Sequence, residues 1–257
     1  MSEPLVIAET VNQVAILTLN NPAKRNPLSR AMLASLRDNL ARIASDSGVR
    51  AVIIRAAGPA FSAGHDLREI VGAGETDRRL LFALCTEVME AIRKLPKPVI
   101  ASVGGIATAA GCQLAATCDL VVASENATFA TPGVKIGLFC STPAVAVSRA
   151  VPAKKAMEML LTGEPISAHE AERIGLVNRV VPADRLDDEG MKLARQVIAA
   201  SSDTLGIGKR TFYQQLPLDR PAAYELTGRV MIENAQTANA QEGMQAFLEK
   251  RAPQWKS

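Results

Sequence analysis

Short β-branched runs alternate with helix-period segments over the first two thirds of this chain, and beyond residue 182 the strand pattern ends. Residues 5–9 and 14–19 read as paired strands, with the turn between them near Val11-Asn12-Gln13. Asn20-Asn21-Pro22 breaks the second strand, and Ser29 is placed to cap a helix running to residue 44. Strand patterns recur at 51–56, 99–103 and 120–123, and helical patterns at 77–95 and 109–117. Such alternation predicts an α/β fold with largely buried strands. Periodicity alone does not separate a flat doubly wound sheet from a coiled one. Helical patterns fill the remainder, at 188–200, 208–215, 222–237 and 241–249. This tail has little to build a core of its own. The chain is therefore divided into a strand-rich core, 1–182, and a helical C-terminal region, 183–257.

Composition narrows the function classes. Of 257 residues, 48% are hydrophobic and 21% charged, which is ordinary for a globular chain long enough to bury a substantial core. The formal net charge is only +3, so nothing points to nucleic acid or to an anionic membrane surface. Cys85, Cys112, Cys118 and Cys140 form no C-x-x-C pair and read as reduced thiols. With only His65 and His169 besides, no metal site is expected. Met1-Ser-Glu-Pro-Leu lacks the basic and apolar regions of a secretory signal, and a cytoplasmic location is expected. No charge occurs from Pro98 through Cys118, close to the roughly 20 residues of a membrane helix. The Ala, Gly, Ser and Thr content and the Gly104-Gly105 pair instead predict strand, turn and buried helix there.

The most specific stretch is Pro59-Ala-Phe-Ser-Ala-Gly-His-Asp-Leu-Arg-Glu-Ile70, where a small-residue turn follows a strand and lets backbone approach a ligand. Its centre, Phe61-Ser62-Ala63-Gly64-His65-Asp66-Leu67, resembles the signature of the crotonase (enoyl-CoA hydratase/isomerase) superfamily. Other segments extend the resemblance nearly end to end. Asn21-Pro22-Ala23-Lys24-Arg25-Asn26-Pro27-Leu28 is similar to the family loop that cradles coenzyme A. Val103-Gly-Gly-Ile-Ala-Thr-Ala-Ala-Gly-Cys-Gln-Leu114 and Cys118-Asp119-Leu120 resemble its glycine-rich helix start, and Leu161-Thr-Gly-Glu-Pro-Ile-Ser-Ala168 and the run ending Gly175-Leu-Val-Asn-Arg-Val-Val181 its later signature. The resemblance is nearest the enoyl-CoA hydratase domain-containing subgroup. It implies a right-handed spiral of ββα turns, a C-terminal helical region that builds trimers or hexamers, and an acyl-CoA ligand with no cofactor beyond the coenzyme A of the substrate.

Carried over residue by residue, the resemblance makes the backbone N–H groups of His65 and Ala110 an oxyanion hole, the second at a helix N-terminus. Such donors stabilise the negative charge that a thioester carbonyl gathers when its α-carbon loses a proton or CO2, or its β-carbon takes a nucleophile. Ala63, Asp66 and Leu67 of the same turn are expected at the ligand, and Lys24 and Arg25 near its nucleotide. Phe247 and Lys250 resemble C-terminal residues that reach a neighbouring subunit's ligand. The family's hydratases place two glutamates around the substrate double bond, and the matching positions here are Gln113 and Gly133. Gln cannot take a proton near neutral pH, and Gly has no side chain. Replacing both with Glu is expected to restore hydration if the lost carboxylates are the main defect. Cys140 is a candidate nucleophile or acid, Ser141 a helix N-cap, Asp66 a loop brace, Asp119 structural, and Glu69 and His169 solvated. The family's nominal reaction, hydration of a 2-trans-enoyl-CoA in fatty acid metabolism, thus competes with acyl-CoA decarboxylation, with thioester hydrolysis, and with non-catalytic acyl-CoA binding. No Ser-His-Asp triad, G-x-S-x-G, Walker loop or dinucleotide fingerprint is present.

Overall fold

A computed structural model describes residues 3–256; Met1 and Ser2, the first residues of the start discussed above, and Ser257 lie outside the described residues. Strands β1 (Val6–Val11) and β2 (Val14–Leu19) form an antiparallel hairpin. Its turn places Asn12 and Gln13 at φ 50° and 66°, the left-handed backbone of a tight hairpin. Helix α1 (Arg30–Ser45) starts as expected: the Ser29 hydroxyl accepts the Met32 N–H. Strands β3 (Ala51–Ala56) and β4 (Ala60–Ser62) and helix α2 (Glu75–Lys94) make one turn of the chain. Strands β5 (Val99–Val103) and β6 (Ile106–Thr108) and helix α3 (Ala110–Thr117) make the next. Strands β7 (Leu120–Ser124) and β8 (Thr128–Ala130) begin a third, followed by helices α4 (Ser141–Ala150) and α5 (Ala153–Thr162). Strand β9 (Ile166–Ser167), helix α6 (Ala168–Arg173) and strand β10 (Arg179–Val181) complete the strand-bearing part. Helices α7 (Leu186–Ile198), α8 (Ser202–Gln215), α9 (Arg220–Ala235) and α10 (Ala238–Leu248) follow.

Each turn contributes one strand to each of two sheets. The six-stranded sheet runs β1-β2-β3-β5-β7-β10, parallel except for β1, and the four-stranded sheet runs β4-β6-β8-β9. The chain is therefore coiled, not doubly wound, and the fold is the α/β spiral that the resemblance implies. Central strands are apolar on both faces because both are covered. One face of the large sheet carries Leu17, Val52 and Ile54 into a core with Leu33, Leu36 and Leu40 of α1 and Leu81, Val88 and Ile92 of α2. The other face, with Val14, Ile16, Ile53, Ile100 and Val122, is closed by Leu186, Leu193 and Ala194 of α7. All eight residues of α3 are buried, so its N-terminus opens deep in the protein.

Several helices start two or three residues earlier than expected, as α10 does at Ala238, and two departures have a local cause. Helix α8 begins at Ser202, six residues before Gly208, because the Ser201 hydroxyl caps it by accepting the Thr204 N–H. Ser141 is the first residue of α4 and not its cap; its hydroxyl donates to Phe139 O at 3.4 Å. Among the described residues, no helix is long and apolar enough to cross a membrane, and the 98–118 stretch resolves into β5, β6 and α3.

Candidate active site

The loop from Ser62 to Asp66 runs from β4 across the N-terminus of α3. Gly64 has φ +87°, and a Cβ there would stand 2.9 Å from Ala109 Cβ, 3.1 Å from Thr108 O and 3.3 Å from Ala110 N. Only a glycine fits this contact, and it sets His65 beside the first turn of α3. Among the described residues, neither the His65 nor the Ala110 N–H has an acceptor. Ala110 is the first helical residue, so its N–H has no partner along the helix. Ala109 before it holds φ 51° and ψ −118°, a backbone that favours glycine and stores about 1–3 kcal/mol in an alanine. Both free amides border one cavity of about 530 Å³.

The other walls of that cavity are apolar. Ala63, Leu67, Ile70 and Phe82 line it with His65, and Pro132, Gly133, Ile136, Leu138, Phe139 and Cys140 face in from the chain after β8. No Asp or Glu lines it among the described residues. Lys135, which also lines it, pairs with Glu164 at 2.6 Å.

His65 Nδ1 lies 3.0 Å from Leu28 O. A carbonyl only accepts, so Nδ1 carries the proton and Nε2 the lone pair. Nε2 is buried with no partner, and the ring packs edge-on to Phe82 with centroids 5.4 Å apart. Burial lowers the imidazole pKa, opposed by the Leu28 hydrogen bond and the nearby Glu69 carboxylate, and the ring stays neutral at physiological pH. The Nδ1 bond also ties this loop to residues 21–28. Leu28 N donates to Gly64 O at 2.8 Å and Ala63 N to Arg25 O at 2.9 Å. Asn26, which the sequence reading passed over, is the clamp of that loop. Fully buried at φ 51°, it donates to Ala57 O and Ala60 O, each at 2.8 Å, and accepts the Asn21 N–H at 2.7 Å.

Not every expected residue joins the cavity. His65, Ala110, Gly133, Cys140, Ala63 and Leu67 line it; Gln113, Asp66, Lys24, Arg25, Phe247 and Lys250 do not. Gln113 lies one turn along α3 from Ala110, 5% exposed, with its Oε1 unpartnered. Asp66 turns to Arg68, accepting its N–H at 3.1 Å and its Nε at 3.0 Å, and this pairing holds the carboxyl below its usual range. Lys24 and Arg25 are exposed on the loop clamped by Asn26. Phe247 and Lys250 stand exposed on and just after α10. Glu69 is not simply solvated: its Oε2 accepts the Arg30 N–H at 2.8 Å and anchors the start of α1. His169 is exposed on α6. The four thiols are free and buried, and no cluster of metal-binding side chains occurs among the described residues.

Gly133 overturns the idea of a vacant carboxylate position. A Cβ there would stand 1.9 Å from Leu138 O and 2.8 Å from Cys140 Sγ. Leu138 N donates to Gly133 O at 2.9 Å, and Gly133 N to Cys140 Sγ at 3.3 Å. The chain folds back onto residue 133, so a glutamate does not fit without moving backbone.

Comparison with known proteins agrees with this architecture. Residues 9–257 match the enoyl-CoA hydratase/isomerase family. The chain belongs to that family. It is 49% identical over 256 residues to the rat enoyl-CoA hydratase domain-containing protein 3, mitochondrial, covering 99% of this chain and 85% of the relative. A Mycobacterium smegmatis enoyl-CoA hydratase structure superposes with a TM-score of 0.96 at 49% identity, covering 99% of this chain and all of that one. The human enoyl-CoA hydratase domain-containing protein 3 structure gives 0.95 at 49% identity, over 98% of this chain and 100% of that one. The rat, mouse, zebrafish and human relatives are all named mitochondrial, so the expectation of a cytoplasmic location does not stand. Reduced thiols are common to the cytoplasm and other reducing compartments, so they do not separate these locations.

Proposed function

We propose that this member of the enoyl-CoA hydratase/isomerase family binds acyl-CoA thioesters and polarises their carbonyl with the His65 and Ala110 amides. The observation that carries the reading is the pair of unpaired N–H groups bordering a single apolar cavity. Donors fixed in place before the ligand arrives, in a site that sheds water, stabilise a developing oxyanion by about 3–4 kcal/mol each. The apolar walls suit an uncharged acyl chain. Lys24 and Arg25, exposed on the loop stitched to the oxyanion turn, are the cations assigned to the phosphates of coenzyme A.

The nominal reaction, adding water to a 2-trans-enoyl-CoA, needs a group that takes a proton from water. Paired carboxylates usually serve, and among the described residues this cavity has none. Efficient hydration is therefore not expected, and thioester chemistry that begins without a carboxylate base is favoured. The test is binding and turnover across crotonyl-CoA, malonyl-type CoA and saturated acyl-CoA thioesters. Binding of all three with crotonyl-CoA hydration well below about 1 per second fits the reading. No binding of any thioester sinks it. Binding without product in any arm leaves an acyl-CoA carrier.

The family's trimers and hexamers also fit this chain. Helix α9 buries none of its residues, and Tyr224, Met231 and Ile232 on it are 73%, 70% and 64% exposed.

A further inference from the structure

We propose that the Cys140 thiol is the group that carries protons to and from the α-carbon of the bound thioester. The inference rests on the acyl-CoA reading above and names a catalytic residue that reading leaves open. It starts from the packing at residue 133. The space a side chain there would fill is held by the backbone of Leu138 and by Cys140 Sγ, which would lie 2.8 Å from the missing Cβ. Leu138 O is the nearer atom, at 1.9 Å, and the sulfur borders the same space on its other side. Its position is fixed, because Gly133 N–H donates to it and Cys140 is the residue from which α4 departs. It faces the same cavity as the two free amides, which no Asp or Glu lines among the described residues.

The other polar groups are worse placed. His65 Nδ1 is committed to Leu28 O, and its Nε2 is buried with no hydrogen-bond partner, the ring packing edge-on to Phe82. Lys135 is paired with Glu164. Cys112 lies near Cys140 but is wholly buried on α3. Burial holds the Cys140 thiol above its ordinary range, so at neutral pH it is S–H, a proton donor and a poor nucleophile. The step balances without an oxidant. The thiol first loses its proton to water. The α-carbon–hydrogen bond then breaks, its proton passes to the thiolate, and its electron pair becomes the enolate, whose oxygen charge rests on the His65 and Ala110 amides. The reverse step returns a proton from S–H to carbon.

The experiment follows exchange of the α-methylene protons of butyryl-CoA in D2O by proton NMR, with the full chain, between about pH 6 and pH 10. Wild type is expected to exchange them with a rate rising about tenfold per pH unit, as thiolate accumulates. Cys140→Ala and Cys140→Ser are each expected to lose at least about 100-fold while still holding butyryl-CoA by calorimetry. The serine variant keeps the volume and removes the titration, so a packing role alone would spare it. Exchange that persists in the variants overturns the proposal, as does a profile already level from about pH 6 upward, which the neutral His65 imidazole would give. Wild type that binds butyryl-CoA without exchanging it overturns the proposal and leaves the acyl-CoA reading standing. Absence of binding overturns both.

Discussion

At the scale of single residues, Gly133 decides more than any side chain in the cavity. A family pattern read along the sequence treats this position as a glutamate lost and replaceable. In space the position is filled: Leu138 O lies 1.9 Å from where any Cβ would stand. That atom is backbone, held by the Leu138 N–H bond to Gly133 O, and it cannot swing aside as a side-chain tip would. Gly133→Ala is therefore expected to destabilise the fold by at least about 2 kcal/mol, the cost of overpacking a tight site, seen as a lower urea midpoint. Gly133→Glu adds a longer side chain to the same clash and is expected to gain no crotonyl-CoA hydration. An alanine variant as stable as wild type would show that the 137–140 loop yields easily. The strained Ala109 makes the complementary point: an unfavourable backbone is kept where it presents the next amide to the cavity.

At the scale of elements, the helical tail is fastened to the spiral by a buried ion pair. Lys209 of α8 meets Asp119 at 2.6 Å, with the two side chains only 7% and 14% exposed. Lys209 Nζ also donates to Ile92 O at 2.8 Å and Lys97 O at 3.0 Å. Asp119 accepts the Val99 N–H and the Tyr213 hydroxyl, each at 2.7 Å, and Arg93 lies over the Tyr213 ring. Burial pulls the Lys209 pKa down, and Asp119 opposes that pull. Removing the carboxylate leaves a buried ammonium unpaired. Asp119→Ala is expected to cost about 3–5 kcal/mol in urea unfolding, with α8 the first helix to lose amide-exchange protection. A loss below about 1 kcal/mol would mean that the two backbone carbonyls alone hold Lys209. The sequence showed Asp119 as structural but not its partner, because nothing local links it to a lysine in a later helix. The same distinction runs through the fold. Ser29 before α1, Asn12-Gln13 between β1 and β2, and the strand at 99–103 were legible because caps, turns and apolar runs act over a few residues. The close turn at 62–66 was legible through its small residues, and Gly64 takes the positive φ that such a turn requires. Leu138 against Gly133, Phe82 over His65 and the Asn26 clamp were not, since each contact is made by chain that returns from elsewhere.

At the scale of the whole molecule, the exposed face of the tail is the least explained by one chain alone. A soluble helix normally buries one stripe, yet α9 buries no residue while carrying Tyr224, Met231 and Ile232 outward. Phe247 and Leu248 of α10 are 82% and 74% exposed. Large apolar side chains grouped in this way mark a contact surface. In the proposed assembly the surface is covered by further copies of the chain, and its core is the part that tolerates charge least. Met231→Asp combined with Ile232→Asp is therefore expected to shift the protein to monomer, read by light scattering after size exclusion. The spiral core should keep its structure, since neither residue touches it. A wild type that is already monomeric at micromolar concentration would dismiss the assembly, and so would a double variant that assembles unchanged. Loss of assembly together with loss of acyl-CoA binding would place part of the coenzyme A site across the subunit boundary. Phe247 and Lys250, which lie away from the cavity within one chain, are the residues to replace next in that event.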